Sequence, residues 1–302
     1  MTEQITRTLD APGARVTYDV RRNEDSTEPP LFLIGSPMAA AGFVSLSSHF
    51  PERTIITYDP RGSERSTKDD PTTESNPEQH ADDLHRVIQA GGLGPVDLFA
   101  SSGGAVNALC LVARHPEDVR TLVAHEPPLA SILPDSDNAK AAVRAISNSY
   151  QQRGFGAGMA HFIGIVSHRG EFPDDIAQQP APDPAMFGMP TEDDGTRTDV
   201  MLGQNIVTCT CYEPDFDALK KASTRIVLAA GAESEGEMAY RGAHAVAERL
   251  GTQPVSFPSS HGGFLGGEYG QTGEPEAFAA KLREVLAAES AGARQAATTA
   301  SA

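Results

Sequence analysis

The sequence contains no tryptophan and only three cysteines among its 302 residues. The cysteines are Cys110, Cys209 and Cys211. They are odd in number and lack metal-site spacing, which indicates reduced thiols and a cytoplasmic protein. No apolar run approaches the roughly 20 residues that a membrane-spanning helix needs. Residues 1–4 lack a basic region followed by an apolar core, so we expect no secretion signal.

Basic residues are scarce as well: 24 Lys and Arg stand against 41 Asp and Glu, a net charge of −17. Such a surface repels nucleic acids and anionic membranes, so we expect a small-molecule substrate rather than either of those partners. Hydrophobic residues make up 39 % of the chain, and the mean hydropathy is −0.32, which is typical of a globular protein. The length suits one large α/β domain with an insertion, and it leaves the oligomeric state open.

Apolar runs and helical patterns alternate along most of the chain. Residues 5–9 and 14–20 alternate apolar and polar positions, which predicts an antiparallel hairpin. The remaining pattern predicts strands at 31–34, 54–58, 96–100, 120–125, 225–230 and 254–257, with helices at 77–90, 105–115, 237–250 and 274–288. Strands and helices in this alternation predict an α/β fold with a mostly parallel, doubly wound sheet.

The alternation stops between residues 129 and 215, where only helical patterns occur, at 138–152, 156–167 and 199–208, around a stretch rich in Pro and Asp at 170–197. We interpret this segment as an inserted α-helical cap over the carboxyl edge of the sheet. The predicted organisation is a core of residues 1–128 and 216–290, a cap of residues 129–215, and a mobile tail of residues 291–302.

Residues 100–104, Ala-Ser-Ser-Gly-Gly, lie between a predicted strand and a predicted helix. A strand that turns sharply into a helix needs small residues around a strained turning residue. This pattern predicts Ser102 as that residue, with its hydroxyl exposed as a nucleophile at the end of the strand. The alternative is a glycine-rich loop that binds phosphate or only turns the chain.

A serine nucleophile needs a base, an acid that orients the base, and N–H donors for the oxyanion. In an open α/β sheet these groups lie on the loops after the strands. His261 follows the last predicted strand, beside two glycines, and is the predicted base. We expect solvated side chains at His80, His85, His115 and His244, which fall on predicted surface helices, whereas His161 on the cap could line a pocket.

Together these motifs resemble the α/β-hydrolase fold superfamily over nearly the whole chain. Residues 100–104 are similar to its nucleophile elbow, residues 34–37 to its His-Gly-x-Pro segment, and residues 59–66 to Asp-x-Arg-Gly-x-Gly-x-Ser. The sequence departs from these motifs at Ala100, Ile34 and Glu64. Epoxide hydrolases and haloalkane dehalogenases carry aspartate where this sequence has Ser102. In this respect the chain resembles the serine-hydrolase branch of the superfamily.

The resemblance implies two possible positions for the acid. The commoner one falls on Ser234, which cannot serve, and its neighbours Glu233 and Glu235 are the nearest carboxylates. The other position, after the strand that follows the elbow helix, is Glu126. We predict Glu126 as the acid, with Glu233 and Glu235 as alternatives.

The resemblance also implies backbone N–H groups as oxyanion donors. Gly103 follows the nucleophile, and Ser36 is the second predicted donor, with Met38 as the fallback. We expect Asp59 and Arg61 to form an ion pair that holds loops beneath the site. The predicted apolar pocket is lined by Met38, Phe155, Met159, Phe162 and Phe187, with Met186, Met189 and Met201 also on the cap.

The sequence therefore predicts a serine hydrolase that cleaves an ester, lactone or thioester of a small apolar substrate. No cofactor is expected. No metal is expected either, because the sequence shows no His-x-x-x-His pair and no Asp/His cluster. The rival is a non-hydrolytic protein of the same fold: a cyclase, a lyase or a binding protein. The two differ in whether a carboxylate reaches His261.

Overall fold

The computed structural model describes residues 4–299. Residues 1–3 and 300–302 lie outside the described residues. The first three belong to the segment in which no secretion signal is expected, and the last three belong to the predicted mobile tail. Within residues 4–299 the chain forms one sheet of nine strands. The strands are β1 (Gln4–Ala11), β2 (Ala14–Arg21), β3 (Leu31–Ile34), β4 (Ile55–Asp59), β5 (Thr67–Lys68), β6 (Val96–Ser101), β7 (Val119–His125), β8 (Arg225–Gly231) and β9 (Val255–Phe257).

The strand order in the sheet is β1-β2-β4-β3-β6-β7-β8-β9, and the short β5 pairs with β2. β1 and β2 form the predicted antiparallel hairpin, and β2 is antiparallel to β4. In the strand order from β4 to the edge strand β9, every neighbouring pair is parallel. The predicted α/β fold with a mostly parallel sheet is therefore confirmed, and the carboxyl ends of β3, β6, β7, β8 and β9 meet at one edge.

Eight α-helices accompany the sheet in the described range. They are α1 (Val44–Ser48), α2 (Pro77–Gly91), α3 (Gly103–Arg114), α4 (Ser136–Val166), α5 (Ile206–Thr210), α6 (Phe216–Lys221), α7 (Met238–Leu250) and α8 (Pro275–Thr299). Apolar side chains from α2, α3, α4 and α7 form one core with one face of the sheet. Side chains from α1 and α8 form a second core on the other face. None of the helices in residues 4–299 combines the length and the apolar character that crossing a bilayer requires.

The segment between β7 and β8 contributes no strand to the sheet. Its long helix, α4, is interrupted at Gly154, where φ is 84°. A π-helical turn, Val200–Asn205, leads into α5. Beyond residue 215, α6 packs beside α3 and α7. The division into core and cap at residues 129 and 215 stays a prediction. The predicted final helix is longer than expected, because α8 continues to Thr299, into the predicted tail.

The start of α2 shows how a local signal fixes a boundary. The Asn76 side chain accepts a hydrogen bond from Gln79 N, and the Gln79 side chain accepts one from Asn76 N. This reciprocal pair is a capping box, and proline occupies the first helical position. α2 ends at Gly91 and is capped by Gly92, where φ is 61°.

Of the four histidines expected to be solvated, three are not fully exposed. His80 is buried and donates from Nε2 to the side chain of Asn205, the last residue of the π-helical turn, at 2.8 Å. Burial lowers the pKa of His80 to about 4, so its ring stays neutral. His85 and His115 are half-buried and stack on each other. His244 is exposed, as expected.

The predicted ion pair between Asp59 and Arg61 is wrong. Asp59 pairs instead with Arg65, at 2.6 Å, and accepts a hydrogen bond from Ala40 N. Arg61 is buried and makes two hydrogen bonds with the Asp83 carboxylate, at 2.8 and 2.7 Å. These two charges, two residues apart at the end of β4, thus point to different elements: Arg61 faces α2, whereas Asp59 faces the loop that follows β4.

Candidate active site

Ser102 forms the turn between β6 and α3. Its φ of 57° and ψ of −128° lie in a region that residues other than glycine rarely adopt. The turn is held by its backbone, because Ser102 N donates to His125 O at 2.9 Å. A strained conformation fixed by its surroundings is common at functional sites, and here it lifts one side chain out of the sheet edge.

Two glycines after Ser102 permit a close backbone approach. A Cβ on Gly103 would lie 2.6 Å from Ser36 O, and a Cβ on Gly104 would lie 2.8 Å from Gly35 Cα. Only glycine fits at both positions. The approach brings Ser36, after β3, against Gly103, whose N–H is at the free amino end of α3. The two predicted oxyanion donors therefore adjoin each other.

Glu126 follows β7 and is completely buried. Its φ of 48° turns the side chain toward the next strands, and Glu126 N donates to Ala229 O at 3.0 Å. One carboxylate oxygen accepts from Gly231 N at 2.8 Å, and the other accepts from His261 Nδ1 at 2.5 Å. Burial opposes ionisation, but the His261 hydrogen bond, the nearby imidazoles and the Gly231 N–H lower the pKa of Glu126 to about 2.

His261 is fixed in one tautomer by that hydrogen bond. Because Nδ1 donates to Glu126, the lone pair lies on Nε2 when the ring is neutral. Burial lowers the pKa of His261, but the Glu126 hydrogen bond and charge, with a smaller contribution from Glu237, outweigh it and raise the pKa. The side chain is 39 % exposed, so a bound substrate can reach the ring.

Within residues 4–299, Ser102 and His261 do not hydrogen-bond to each other, but each of them contacts His125. In the described residues no hydrogen bond links the Ser102 hydroxyl to the His261 ring. Both residues contact His125: its carbonyl oxygen accepts from Ser102 N, and its ring stacks on His261 with centroids 5.8 Å apart. They thus share one edge of the sheet. Hydrogen bonds between a nucleophile and its base are often long without substrate and tighten when substrate binds.

His125 also lies in this site, although no role was predicted for it from the sequence. It is buried, its Nδ1 lies 3.2 Å from Ser101 Oγ, and its Nε2 has no hydrogen-bond partner among the described residues. Burial lowers the pKa of His125 to about 4, so the ring stays neutral beneath His261. The signal was the strand alignment, because β6 and β7 pair Ser101 with His125 directly before Ser102 and Glu126.

The alternative acids lie elsewhere. Glu233 and Glu235 are exposed, and the one side-chain hydrogen bond that Glu233 makes in the described structure is with Ser259, at 3.4 Å. Their carbonyl oxygens accept from Arg169. Ser234, at the commoner acid position, is buried. Of the three candidate carboxylates, Glu126 alone contacts His261 in the described structure.

The structure places the predicted pocket residues differently. Met38 packs on the second core, and a Cβ added to Gly35, next to Ser36, would lie 2.7 Å from Met38 Cβ. Met159 and Phe162 pack against the first core, and Phe187 is half-buried, so these remain predicted pocket residues. Phe155 is 37 % exposed and lines a cavity with Pro190 and Val200. Ser102, Glu126 and His261 do not line this cavity, so the position of Phe155 gives no support for a role in the substrate pocket.

The helical segment between β7 and β8 covers the elbow through Cys209. The Cys209 sulfur lies 3.8 Å from Gly103 O and is buried. Burial raises the pKa of Cys209 to about 12, so its thiol stays protonated. His161, which could have lined a pocket, is buried within the same segment and hydrogen-bonded to Ser149 Oγ at 2.8 Å.

A metal could bridge ligand atoms of His125, Glu126 and His261, which lie within 4.8 Å of one another. Both oxygens of Glu126 are, however, already hydrogen-bonded, to Gly231 N and to His261. The donor set fits a hydrogen-bonded base and acid better than a set of metal ligands.

Residues 31–178 match the family model described as alpha/beta hydrolase fold. The uncharacterized hydrolase YraK of Bacillus subtilis (strain 168) is 30 % identical over 263 residues, which covers 85 % of this chain and 89 % of that protein.

Two solved structures share the fold at lower identity. The esterase EaEST from Exiguobacterium antarcticum is 20 % identical with a TM-score of 0.64, over 92 % of this chain and 98 % of that one. The enol-lactonase from Burkholderia xenovorans LB400 is 15 % identical with a TM-score of 0.60, over 93 % and 99 %. With the family match and the similarity to YraK over most of both chains, this protein belongs to the α/β-hydrolase fold family and is a hydrolase.

Proposed function

We propose that this hydrolase cleaves a carboxylic ester, lactone or thioester of a small apolar substrate through an acyl-enzyme, without a cofactor. The observation that carries the proposal is the hydrogen bond of 2.5 Å between Glu126 and His261, at the sheet edge where Ser102 forms a strained turn. A nucleophile, a base and an orienting acid on neighbouring strand ends are what acyl transfer requires.

The proposed reaction has two halves. Ser102 Oγ attacks the carbonyl carbon while His261 Nε2 takes the hydroxyl proton, and the oxyanion accepts hydrogen bonds from Gly103 N–H and Ser36 N–H. The intermediate collapses as His261 returns the proton to the leaving group, which departs and leaves the acyl-enzyme. Water, deprotonated by His261, then attacks the acyl carbon, and Ser102 regains its proton as the acid is released.

Glu126 has the role of orienting and stabilising His261. Its low pKa of about 2 keeps it ionised while the imidazole gains and loses a proton. Because Glu126 is buried and also held by Gly231 N–H, it cannot turn away from the ring without leaving a charge unpaired in the interior.

The substrate class rests on the cap and on the chemistry of the site. Met159 and Phe162 offer an apolar, adaptable surface on the cap. EaEST is named an esterase and the Burkholderia protein an enol-lactonase, which agrees with an ester or lactone substrate. A cytoplasmic location belongs to the same proposal, on the grounds of the low and odd cysteine count.

Labelling with a fluorophosphonate probe tests the nucleophile. The wild-type protein is expected to be labelled and to show a burst with a short-chain p-nitrophenyl ester. Ser102→Ala should lose both, whereas Ser101→Ala, the neighbouring serine on β6, should still be labelled. Labelling that survives Ser102→Ala contradicts the assignment.

The same experiment addresses the rival. A cyclase, lyase or binding protein would show neither burst nor turnover of esters, lactones or thioesters. The carboxylate contact to His261 weighs against that rival, because the rival is favoured only if no carboxylate reaches His261.

A further inference from the structure

His125 is a polar residue placed among phenylalanine rings. Its side chain is completely buried at the end of β7. Four rings of the second core lie next to it, with centroids 5.3–6.3 Å away: Phe99, Phe257, Phe264 and Phe278. On the basis of the proposed function, we propose that His125 is a positioning residue that holds the Ser102 turn and the His261 ring in their relative orientation.

The imidazole of His125 lowers the stability of the core in which it lies. Its Nε2 has no hydrogen-bond partner among the described residues, and a buried polar atom without a partner costs free energy of folding. Burial lowers the pKa of the ring to about 4, so it carries no charge that could offset this cost at neutral pH. A phenylalanine would fill similar space without a polar atom to satisfy, so packing alone does not explain a histidine here.

The first contact that a phenylalanine could not make is with Ser101. Nδ1 of His125 and Oγ of Ser101 are hydrogen-bonded at 3.2 Å, and both side chains are buried. The two residues also pair directly across β6 and β7, and His125 O accepts from Ser102 N at 2.9 Å. A strained residue such as Ser102, with its φ of 57°, keeps its conformation only where its surroundings fix it. His125 supplies two of those restraints, one on Ser102 and one on the residue before it.

The second contact is with the proposed base. The His125 ring stacks on the His261 ring, with centroids 5.8 Å apart and planes 26° from parallel. The hydrogen bond from Glu126 fixes one nitrogen of His261, but a ring that is held at one point can still tilt about it. A flat ring stacked against it limits that tilt, and with it the direction in which His261 Nε2 faces the nucleophile.

One buried side chain thus contacts the nucleophile turn through Ser101 and the base through its own ring. Catalytic groups must stay within about 0.5 Å of their productive geometry, so a small shift at either contact lowers turnover. Because the completely buried side chain of His125 cannot reach substrate, its replacement should lower kcat more than it raises KM.

A double variant separates positioning from packing. Ser101→Ala/His125→Phe replaces both hydrogen-bonding partners by apolar groups, so its unfolding temperature should equal or exceed that of the wild type. Its kcat on a short-chain ester should nevertheless fall roughly tenfold or more. His125→Phe alone should have about the same kcat as the double variant, because it removes the same hydrogen bond.

Val123→Ala is the matched control, two residues earlier on the same face of β7 and in the second core. It removes buried methyl groups, so it should lower the unfolding temperature and leave kcat near the wild-type value. The two variants are therefore expected to show opposite patterns of stability and turnover.

Crystal structures of the wild type and the double variant give a measurement that does not depend on turnover. We expect the distance between Ser102 Oγ and His261 Nε2 to differ between them by about 0.5 Å or more. An unchanged distance overturns the positioning role, and so does a clear fall in the unfolding temperature of the double variant, which would mean that packing needs the histidine. Unchanged kcat in a protein that is labelled at Ser102 overturns it as well. If the wild type is not labelled at Ser102, the proposed function fails, and the distance alone decides the role of His125.

Discussion

Glu126 Oε2 lies 2.5 Å from His261 Nδ1, although 135 positions separate the two residues in the sequence. The other oxygen of the same carboxylate accepts from Gly231 N at 2.8 Å. One buried side chain thus joins the end of β7, the end of β8 and the loop after β9. The orientation of the proposed base depends on this carboxylate, and the first two predictions follow from it.

Replacing Glu126 by Gln should lower kcat by roughly 10²–10⁴. The amide keeps the size of the side chain, but it removes the charge that stabilises the His261 imidazolium and can present an N–H to Nδ1. Steady-state kinetics on a short-chain ester measures the effect. The matched control is Glu233→Gln, an exposed residue whose side chain does not contact His261. Equal losses in the two variants would contradict the assignment of the acid.

The pH dependence of kcat/KM should report His261. Burial acts to lower the pKa of its imidazole, but the hydrogen bond and charge of Glu126 raise it above the ordinary 6.5. A base must be neutral, so kcat/KM should rise with pH and reach half its plateau above 6.5.

In Glu126→Gln the lowering effect of burial remains without the compensating charge, so the half-point should move to lower pH. A pH series on a neutral ester measures both half-points. A half-point that stays in place when Glu126 is replaced would mean that another group limits the reaction.

Gly103→Ala should damage the oxyanion site more than the fold. Its Cβ would lie 2.6 Å from Ser36 O, a backbone atom, so the loop after β3 must move away from Gly103 N–H. Losing one oxyanion donor costs about 10²–10³ in kcat, and KM should change less.

The control is Gly91→Ala at the end of α2, where the nearest heavy atom to the added Cβ is 3.6 Å away. That variant should keep wild-type kinetics. If Gly103→Ala also kept wild-type kcat, then Gly103 N–H would not be an oxyanion donor.

Local signals in the sequence were enough for much of the fold. The capping box at Asn76 involves residues three positions apart, and the turn at Ser102 involves five consecutive residues, so short-range geometry determines both. The alternation of buried strands and amphipathic helices in turn predicted the parallel sheet, because only that arrangement covers both faces of such strands.

Contacts between distant segments could not be predicted in the same way. His80 lies on a helix that looks solvated, but its partner Asn205 is 125 positions away on a π-helical turn. Arg61 does not pair with Asp59, two positions earlier, but with Asp83 on α2. In each case the partner depends on how two elements pack, which no local pattern encodes.

The choice of acid needed the same kind of information. Glu126 and Glu233 both follow predicted strands in the sequence. The positive φ of Glu126 and its contact with Gly231 turn its carboxylate toward His261, and neither feature has a sequence signature.

Neighbouring aspartates on α2 offer a final test of what burial does to an ion pair. Asp83 pairs with Arg61, and the two side chains are 0 % and 2 % exposed. Asp83→Asn should cost roughly 3–5 kcal/mol of unfolding free energy, because it leaves the buried guanidinium without a counter-charge. Urea unfolding at neutral pH measures the loss.

Asp82→Asn provides the matched control on the next residue of the same helix. Asp82 pairs with Arg86 one turn away, and these side chains are 34 % and 43 % exposed, so water screens the charges. Its loss should be about 1 kcal/mol or less. Similar losses in the two variants would show that Arg61 finds another partner, whereas a large difference ties the loop after β4 to α2 through one buried charge pair.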